Sequence, residues 1–470
     1  MSKPKQQKTS WMKVRKFLND IHLWGGLISG IVVLIVCLTG TIYVYNTEIR
    51  ALAQPKYFKV KAEGEKLNPD ELLAKVKPEI KGKIVGIKIP FADNATTSVL
   101  FTKKEKEEGK EAKGNKGETT KEKEGNGPKA DPNAEKEANK SEKINKEVVK
   151  GNTAKAEGKP AEGKKAPAGP AGGRGPRANQ FAVNPYTGEA IGDPSDEKTK
   201  TADFMQKMFG LHRWLLLNEI EEPIIEGVEN RKLGSWITGT ATLLFLLGVI
   251  TGMVIWFPNK IRSWKNGLKI RWTANWKRVN HDLHNTLGFY SCIILFLMAV
   301  TGPFWSFDWY RAGWQKTWGT YKSLDAPKEE KKPLQSVFPL DGKQPLSIEE
   351  TILAVNKILP YDGDISINFP KDSLGTLSIS KNRVGFFAPS AGDKLTLDQY
   401  TGEAIEKDIF REKPFNERAS ASIKALHIGD IYGPFSKLLY FISCLIATSL
   451  PVTGVMIWLN KMKKKPKTAK

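Results

Sequence analysis

Cysteine and histidine are both scarce in this chain, three and five in 470 residues. The cysteines, Cys37, Cys292 and Cys444, all fall inside long apolar runs. No disulfide framework is available from them, and without a C-x-x-C-H motif no haem can be attached covalently. Also missing are an H-E-x-x-H pair, a phosphate-binding loop, a G-x-G-x-x-G fingerprint and a nucleophile triad. A zinc hydrolase, a nucleotide-binding enzyme and a self-contained nicotinamide reductase are therefore not expected. The centres of the apolar runs hold no acid, lysine or arginine, where an ion-coupled transporter would keep its coupling site.

What is present is length and apolarity. Runs at about Leu23–Tyr45, Trp236–Phe257, Thr286–Trp309 and Phe435–Leu459 are long enough to cross a bilayer, which takes about 20 helical residues for a core of about 30 Å. The expected class is a mostly α membrane protein with four transmembrane helices. The first run is too long for a cleaved signal peptide, and no small-residue cleavage site follows it. Lysine and arginine near the ends of the runs set the orientation. They crowd the arm 1–22 (Lys3, Lys5, Lys8, Lys13, Arg15, Lys16), the connection 258–285 and the acid-free tail 460–470. These segments are expected in the cytoplasm, and the long connections 46–235 and 310–434 outside the inner membrane. The net charge of +22 is accounted for by such flanks and by a lysine-rich insert, so no nucleic-acid partner is expected. That insert, 103–177, holds almost no large apolar residues and is expected to be disordered.

The chain reads as if written twice. His22 and His284 each precede a Thr-Gly pair whose glycine, Gly40 or Gly302, lies eighteen residues on, and Gly26 and Gly288 follow them by four. Tyr186-Thr-Gly-Glu-Ala-Ile191 recurs as Tyr400-Thr-Gly-Glu-Ala-Ile405, followed by Leu211-His212 and Leu426-His427. Spans two and four close on Thr251-Gly-Met-Val-Ile-Trp256 and Thr453-Gly-Val-Met-Ile-Trp458. Repetition in this order indicates an internal duplication. Each outer segment reads as a small α+β unit. In the first, Asn68-Pro69 starts a helix through about Val76, and Lys83–Ile89 and Ser98–Thr102 are strands. In the second, Ser347 caps a helix through about Leu359. Strands at Asp364–Phe369, Gly375–Ser380 and Val384–Ala388 follow, then a hairpin at Thr401-Gly402.

Four of the five histidines lie near the end of a span, in two matched pairs, which suggests a metal cofactor held between helices. A bis-histidine haem needs two imidazoles on opposite faces of one iron. The duplication pairs His22 with His284 near the cytoplasmic face and His212 with His427 on the outer side, giving two b-type haems. His212 precedes Trp236 by 24 residues, so this arrangement requires the chain to fold back over the bundle. Gly26 and Gly288 would let a flat macrocycle approach their helices; ordinary small-residue packing is the other reading. His281 is an alternative ligand, a propionate contact or an interfacial polar residue. Trp305 and Trp309 fit an interfacial aromatic belt, and Trp314 and Trp318 an acceptor-binding surface.

With these histidine openings, Leu-His pairs and Thr-Gly endings, the chain resembles the PepSY-associated transmembrane helix proteins. Among that family, often called iron-regulated membrane proteins, are inner-membrane ferric-siderophore reductases that hold two haems. The resemblance covers nearly the whole chain outside the insert. It implies a bacterial inner-membrane protein with both termini cytoplasmic and two periplasmic PepSY-like domains. The implied activity is outward electron transfer to a ferric siderophore, fed by a partner protein, a quinol or a soluble reductant. Two rivals remain: a non-enzymatic PepSY-domain protein that binds a partner or restrains a protease, and a transporter of the iron complex.

Overall fold

The computed structural model describes residues 10–103, 178–257, 264–323, 333–339 and 342–463. The insert expected at 103–177 lies outside the described residues beyond Lys103, as do residues 1–9 of the arm, 258–263 of the basic connection and 464–470 of the tail. Among the described residues, four helices are long and apolar enough to cross a membrane: Trp11–Tyr43, Asn230–Trp256, Trp276–Trp305 and Gly433–Met462. Each starts before its apolar run, because the polar flank continues the helix. The third begins at Trp276, capped by the Asn275 side chain, which accepts the Arg278 N–H at 3.1 Å. His22 and His284 therefore sit inside helices rather than at their starts.

The third span also closes earlier than the expected Trp309. Pro303 lacks an N–H for the helical ladder, so the α-helix ends at Thr301 and a 3-10 turn, Gly302–Trp305, follows. A separate helix, Asp308–Thr317, then leaves the bundle. Hydroxyls within the spans bond to carbonyls of their own helix, as Ser29 does to Gly25 at 2.8 Å and Ser291 to Leu287 at 2.8 Å. Lipid supplies no partners, so this internal satisfaction is what lets serine and threonine stay in the spans. The first and third spans each pack against the second and fourth, which sets them across the bundle from each other.

Outside the bundle the strands of both long connections join in one antiparallel sheet. Its strands are β1 (Lys83–Ile89), β2 (Thr97–Thr102), β3 (Asn179–Val183), β4 (Ala190–Gly192), β5 (Gly363–Asn368), β6 (Thr376–Arg383), β7 (Asp393–Asp398) and β8 (Ala404–Asp408), in the order β4-β3-β2-β1-β5-β6-β7-β8. The two outer segments thus meet along the β1–β5 seam, with Ile87 opposite Ile367. Both isoleucines are fully buried in one apolar cluster with Val355, Ile379, Leu395 and Leu397.

The two expected helices lie on the sheet. Pro69–Val76 is capped by Asn68, and Ile348–Ile358 by a reciprocal box between Ser347 and Glu350. Asp70, from the first helix, also accepts the Ile348 and Glu349 N–H groups of the second at 2.9 and 3.2 Å.

The strand expected at Val384–Ala388 is not one. Gly385 has φ +136°, and the chain turns there so that the Phe386 carbonyl accepts the Phe435 N–H at 3.2 Å. The third strand of that segment is β7 instead, closed by the Gly402 turn (φ +72°) onto β8.

The seam depends on Gly86, where an added Cβ would run into the Ile367 carbonyl oxygen. We predict that Gly86→Ala destabilises the sheet by about 1–3 kcal/mol. Gly313→Ala, at an open helical position, should not. Thermal unfolding followed by circular dichroism distinguishes the two, and equal midpoints would contradict the assignment.

Candidate functional site

Each of the four paired histidines rests on a Thr-Gly pair from another element. His22 reaches the second span, with Nδ1 3.2 Å from Thr251 Oγ1 and 3.0 Å from the Gly248 carbonyl. His284 reaches the fourth, with Nδ1 2.9 Å from Thr453 Oγ1. His212, in the last turn of the helix Lys200–Trp214, meets the first span: Val36 O at 2.9 Å and Thr39 Oγ1 at 3.5 Å. His427, on the short helix Ile423–Ile428, meets the third: Thr301 Oγ1 at 3.1 Å and Met298 O at 3.2 Å. The glycine after each threonine lets the ring lie against the helix. A Cβ would come within 3.1 Å of the His22 ring at Gly252, 3.2 Å of His212 at Gly40, 3.4 Å of His284 at Gly454 and 3.5 Å of His427 at Gly302.

This arrangement fixes the tautomer. Each threonine hydroxyl spends its one proton on the carbonyl four residues back: Thr39 on Ile35 at 2.7 Å, Thr251 on Leu247 at 2.6 Å, Thr301 on Leu297 at 2.7 Å and Thr453 on Ser449 at 3.0 Å. Towards the imidazole the oxygen then only accepts, so Nδ1 carries the proton and a neutral ring keeps its lone pair on Nε2. Among the described residues, none of the four Nε2 atoms has a hydrogen-bond partner. Burial lowers the pKa of His212, and burial together with His212 lowers that of His427, so these two rings, outside the spans, are neutral at physiological pH.

The rings form two pairs. The His22 and His284 centroids are 6.1 Å apart with planes at 85°. Those of His212 and His427 are 6.1 Å apart at 59°. Two metal–imidazole bonds of about 2 Å, plus about 1.1 Å from each ring centre to its nitrogen, ask for roughly 6 Å. The separation within each pair is thus of the size that two imidazoles holding one metal would need. No group of three or more His, Cys, Asp or Glu converges among the described residues, so a bare ion finds no full ligand set, whereas a haem brings four of its own donors. Residues 22 and 36–40 are 14 to 18 apart on one helix, which separates the pairs by about 21–27 Å.

Space accompanies the ligands. The outer pair opens on a cleft lined mainly by apolar groups such as Val33, Leu295, Met298 and Ala299. At the inner pair, a Cβ on Gly26 would meet nothing within 4 Å, and one on Gly288 only Leu450 Cδ2 at 3.8 Å. His212 arrives because the chain reverses at Leu215 and Leu216, both left-handed (φ 53° and 60°). Thr238 of the second span holds that turn by donating to the Arg213 carbonyl at 3.0 Å. His281 joins neither pair; half-exposed, it meets Asn285 at 3.1 Å and Asp282 at 3.7 Å.

The chain belongs to the PepSY-associated TM region family. The match covers residues 20–461, taking in most of the first span, nearly all of the fourth, the other two, the eight strands and all five histidines. No curated protein matches the chain. In this PepSY-associated TM chain, one feature went unread in the sequence and one expectation is overturned. The Thr-Gly pairs appeared only as span endings, although their fourfold recurrence was a signal. Trp305 faces inward rather than sitting in a belt, its ring 5.1 Å from His427, whereas Trp309 is 64% exposed. Trp314 and Trp318 pack on each other, and Trp318 on Phe415.

The threonines are not equivalent. Thr453 is a close acceptor for His284 at 2.9 Å, with the Leu450 carbonyl beside it, whereas at His212 the nearer partner is Val36 O and Thr39 lies farther off. Thr453→Val should cost about 1 kcal/mol by removing the nearer acceptor and leaving the His284 N–H only the Leu450 carbonyl, and Thr39→Val less than about 0.5 kcal/mol. Unfolding midpoints of the purified variants test the order; equal losses would contradict this ranking of the acceptors.

Proposed function

We propose that this chain is a b-type di-haem protein of the bacterial inner membrane, transferring electrons outward and reducing periplasmic ferric siderophores so that iron is released. The observation that carries this reading is the pair of facing imidazoles at each end of the bundle, all four with Nδ1 engaged and Nε2 free. His22 and His284 would hold one haem near the cytoplasmic face, and His212 and His427 the other near the periplasmic face. Bound at these pairs, haem supplies one-electron carriage between its ferric and ferrous forms.

The chain's own residues account for the rest. Thr39, Thr251, Thr301 and Thr453 orient the rings and fix their tautomers, as outer partners of metal-bound histidines do. Gly26 and Gly288 leave the inner wall open to a flat ligand. The apolar cleft excludes water from the outer pair, and Trp305 closes against His427. The lysine- and arginine-rich arm, connection and tail favour cytoplasmic termini, which leaves the sheet in the periplasm beside the outer pair. Reduction releases iron because the hard oxygen donors of siderophores hold ferrous iron far less tightly than ferric. Electrons enter from a cytoplasmic partner, a soluble reductant or a quinol. The matched histidines and recurring Thr-Gly pairs further support an origin by internal duplication, with PepSY-like units contributing the two halves of the sheet.

Absorption spectra of the purified protein, oxidised and dithionite-reduced, with a pyridine haemochrome count, test the reading. Two b-haems per chain are expected, falling to one in His284→Ala and to one in His427→Ala. A folded protein that stays haem-free after haem supplementation would overturn it and leave a partner-binding membrane protein.

A further inference from the structure

We propose that Arg213 is a carboxylate-binding residue of the outer site, its guanidinium receiving an organic carboxylate at the wall of the cleft beside His212. The inference rests on the haem reading above and goes beyond it by assigning the site an anion-binding group. Arg213 follows His212 directly, lines the same cleft and is half-buried. Its guanidinium lies 5.4 Å from the Trp214 ring and 5.9 Å from Phe209. A second guanidinium, Arg231, stands over the same indole at 4.3 Å. Two cations thus share one aromatic ring, and among the described residues neither has a carboxylate within 4 Å.

Several cations elsewhere among the described residues are paired with carboxylates: Arg278 with Asp282 at 2.8 Å, Lys437 with Glu48 at 2.6 Å and Lys413 with Asp408 at 2.6 Å. Glu221 and Glu229 line the neighbouring hollow with Arg231, but neither reaches ion-pair distance. Like charges held together at an apolar wall are unfavourable unless an anion joins them. Arginine's planar fork matches a carboxylate with two parallel hydrogen bonds. Two sources present that group at this position: the acid side chains of a haem held by His212 and His427, and an anionic ferric complex docking at the cleft mouth.

The test uses the full-length chain in detergent as His284→Ala, which keeps the outer pair. The protein is titrated with haem b and with its dimethyl ester, in which both acid groups are blocked. The free acid should bind about tenfold more tightly than the ester. That preference should vanish in Arg213→Gln and return partly in Arg213→Lys. If both forms bind alike but half-saturation by ferric citrate, read from the Soret band, rises about tenfold in Arg213→Gln, the carboxylate belongs to the soluble complex and the assignment stands. No discrimination in either arm overturns it while leaving the haem reading intact. Folded protein that takes up neither haem nor ester overturns both.

Discussion

The hydrogen bond from each imidazole Nδ1 to another element is the interaction on which the rest of this structure depends. A histidine within or beside a bilayer carries one donor and one acceptor into surroundings that offer neither, and an unmet polar group there is costly. Here the donor is satisfied by a threonine oxygen or a nearby carbonyl, and the acceptor is left without a partner among the described residues. The threonine takes part because its own proton is already committed along its helix. The adjacent glycine removes the side chain that would hold the ring away.

That requirement ties the elements together. His22 and His284 approach across the bundle, and each is held by one of the two spans between them. His212 and His427 come from short helices outside the spans and are held by the first and third. Neither pair can form without helices from both halves of the chain. The sheet repeats this logic beyond the membrane, because β1 and β5 share a seam and Asp70 of one half satisfies the first turn of a helix in the other. The elements that position the outer pair are thus anchored to the bundle and to a sheet made by both halves.

Much of this was legible in the sequence. The spans appear as apolar runs, the caps at Asn68 and Ser347 by residue type, and the histidines that come together by their matched spacing. The single sheet was not legible, since periodicity reveals a strand but not its partner, and nothing in Lys83–Ile89 names Gly363–Asn368 as its neighbour. Val384–Ala388 has strand composition, yet Gly385 turns the chain and β7 lies further on. The helical starts at Ser10 and Trp276 were hidden because polar flanks do not look like span. The threonines were visible but silent: their role exists only across helices, where Thr251 meets a ring more than two hundred residues away.

The angles between the paired rings bear most directly on the central claim, that two imidazoles of fixed tautomer face each other at either end of the bundle. With haem bound at both pairs, as proposed, low-temperature electron paramagnetic resonance of the oxidised protein reads both ligation and relative ring orientation. Near-perpendicular planes at the inner pair and a smaller angle at the outer predict two distinct low-spin ferric signals, the more anisotropic one belonging to His22 and His284 and lost in His284→Ala. A single high-spin signal, or one unchanged by that substitution, would contradict the account.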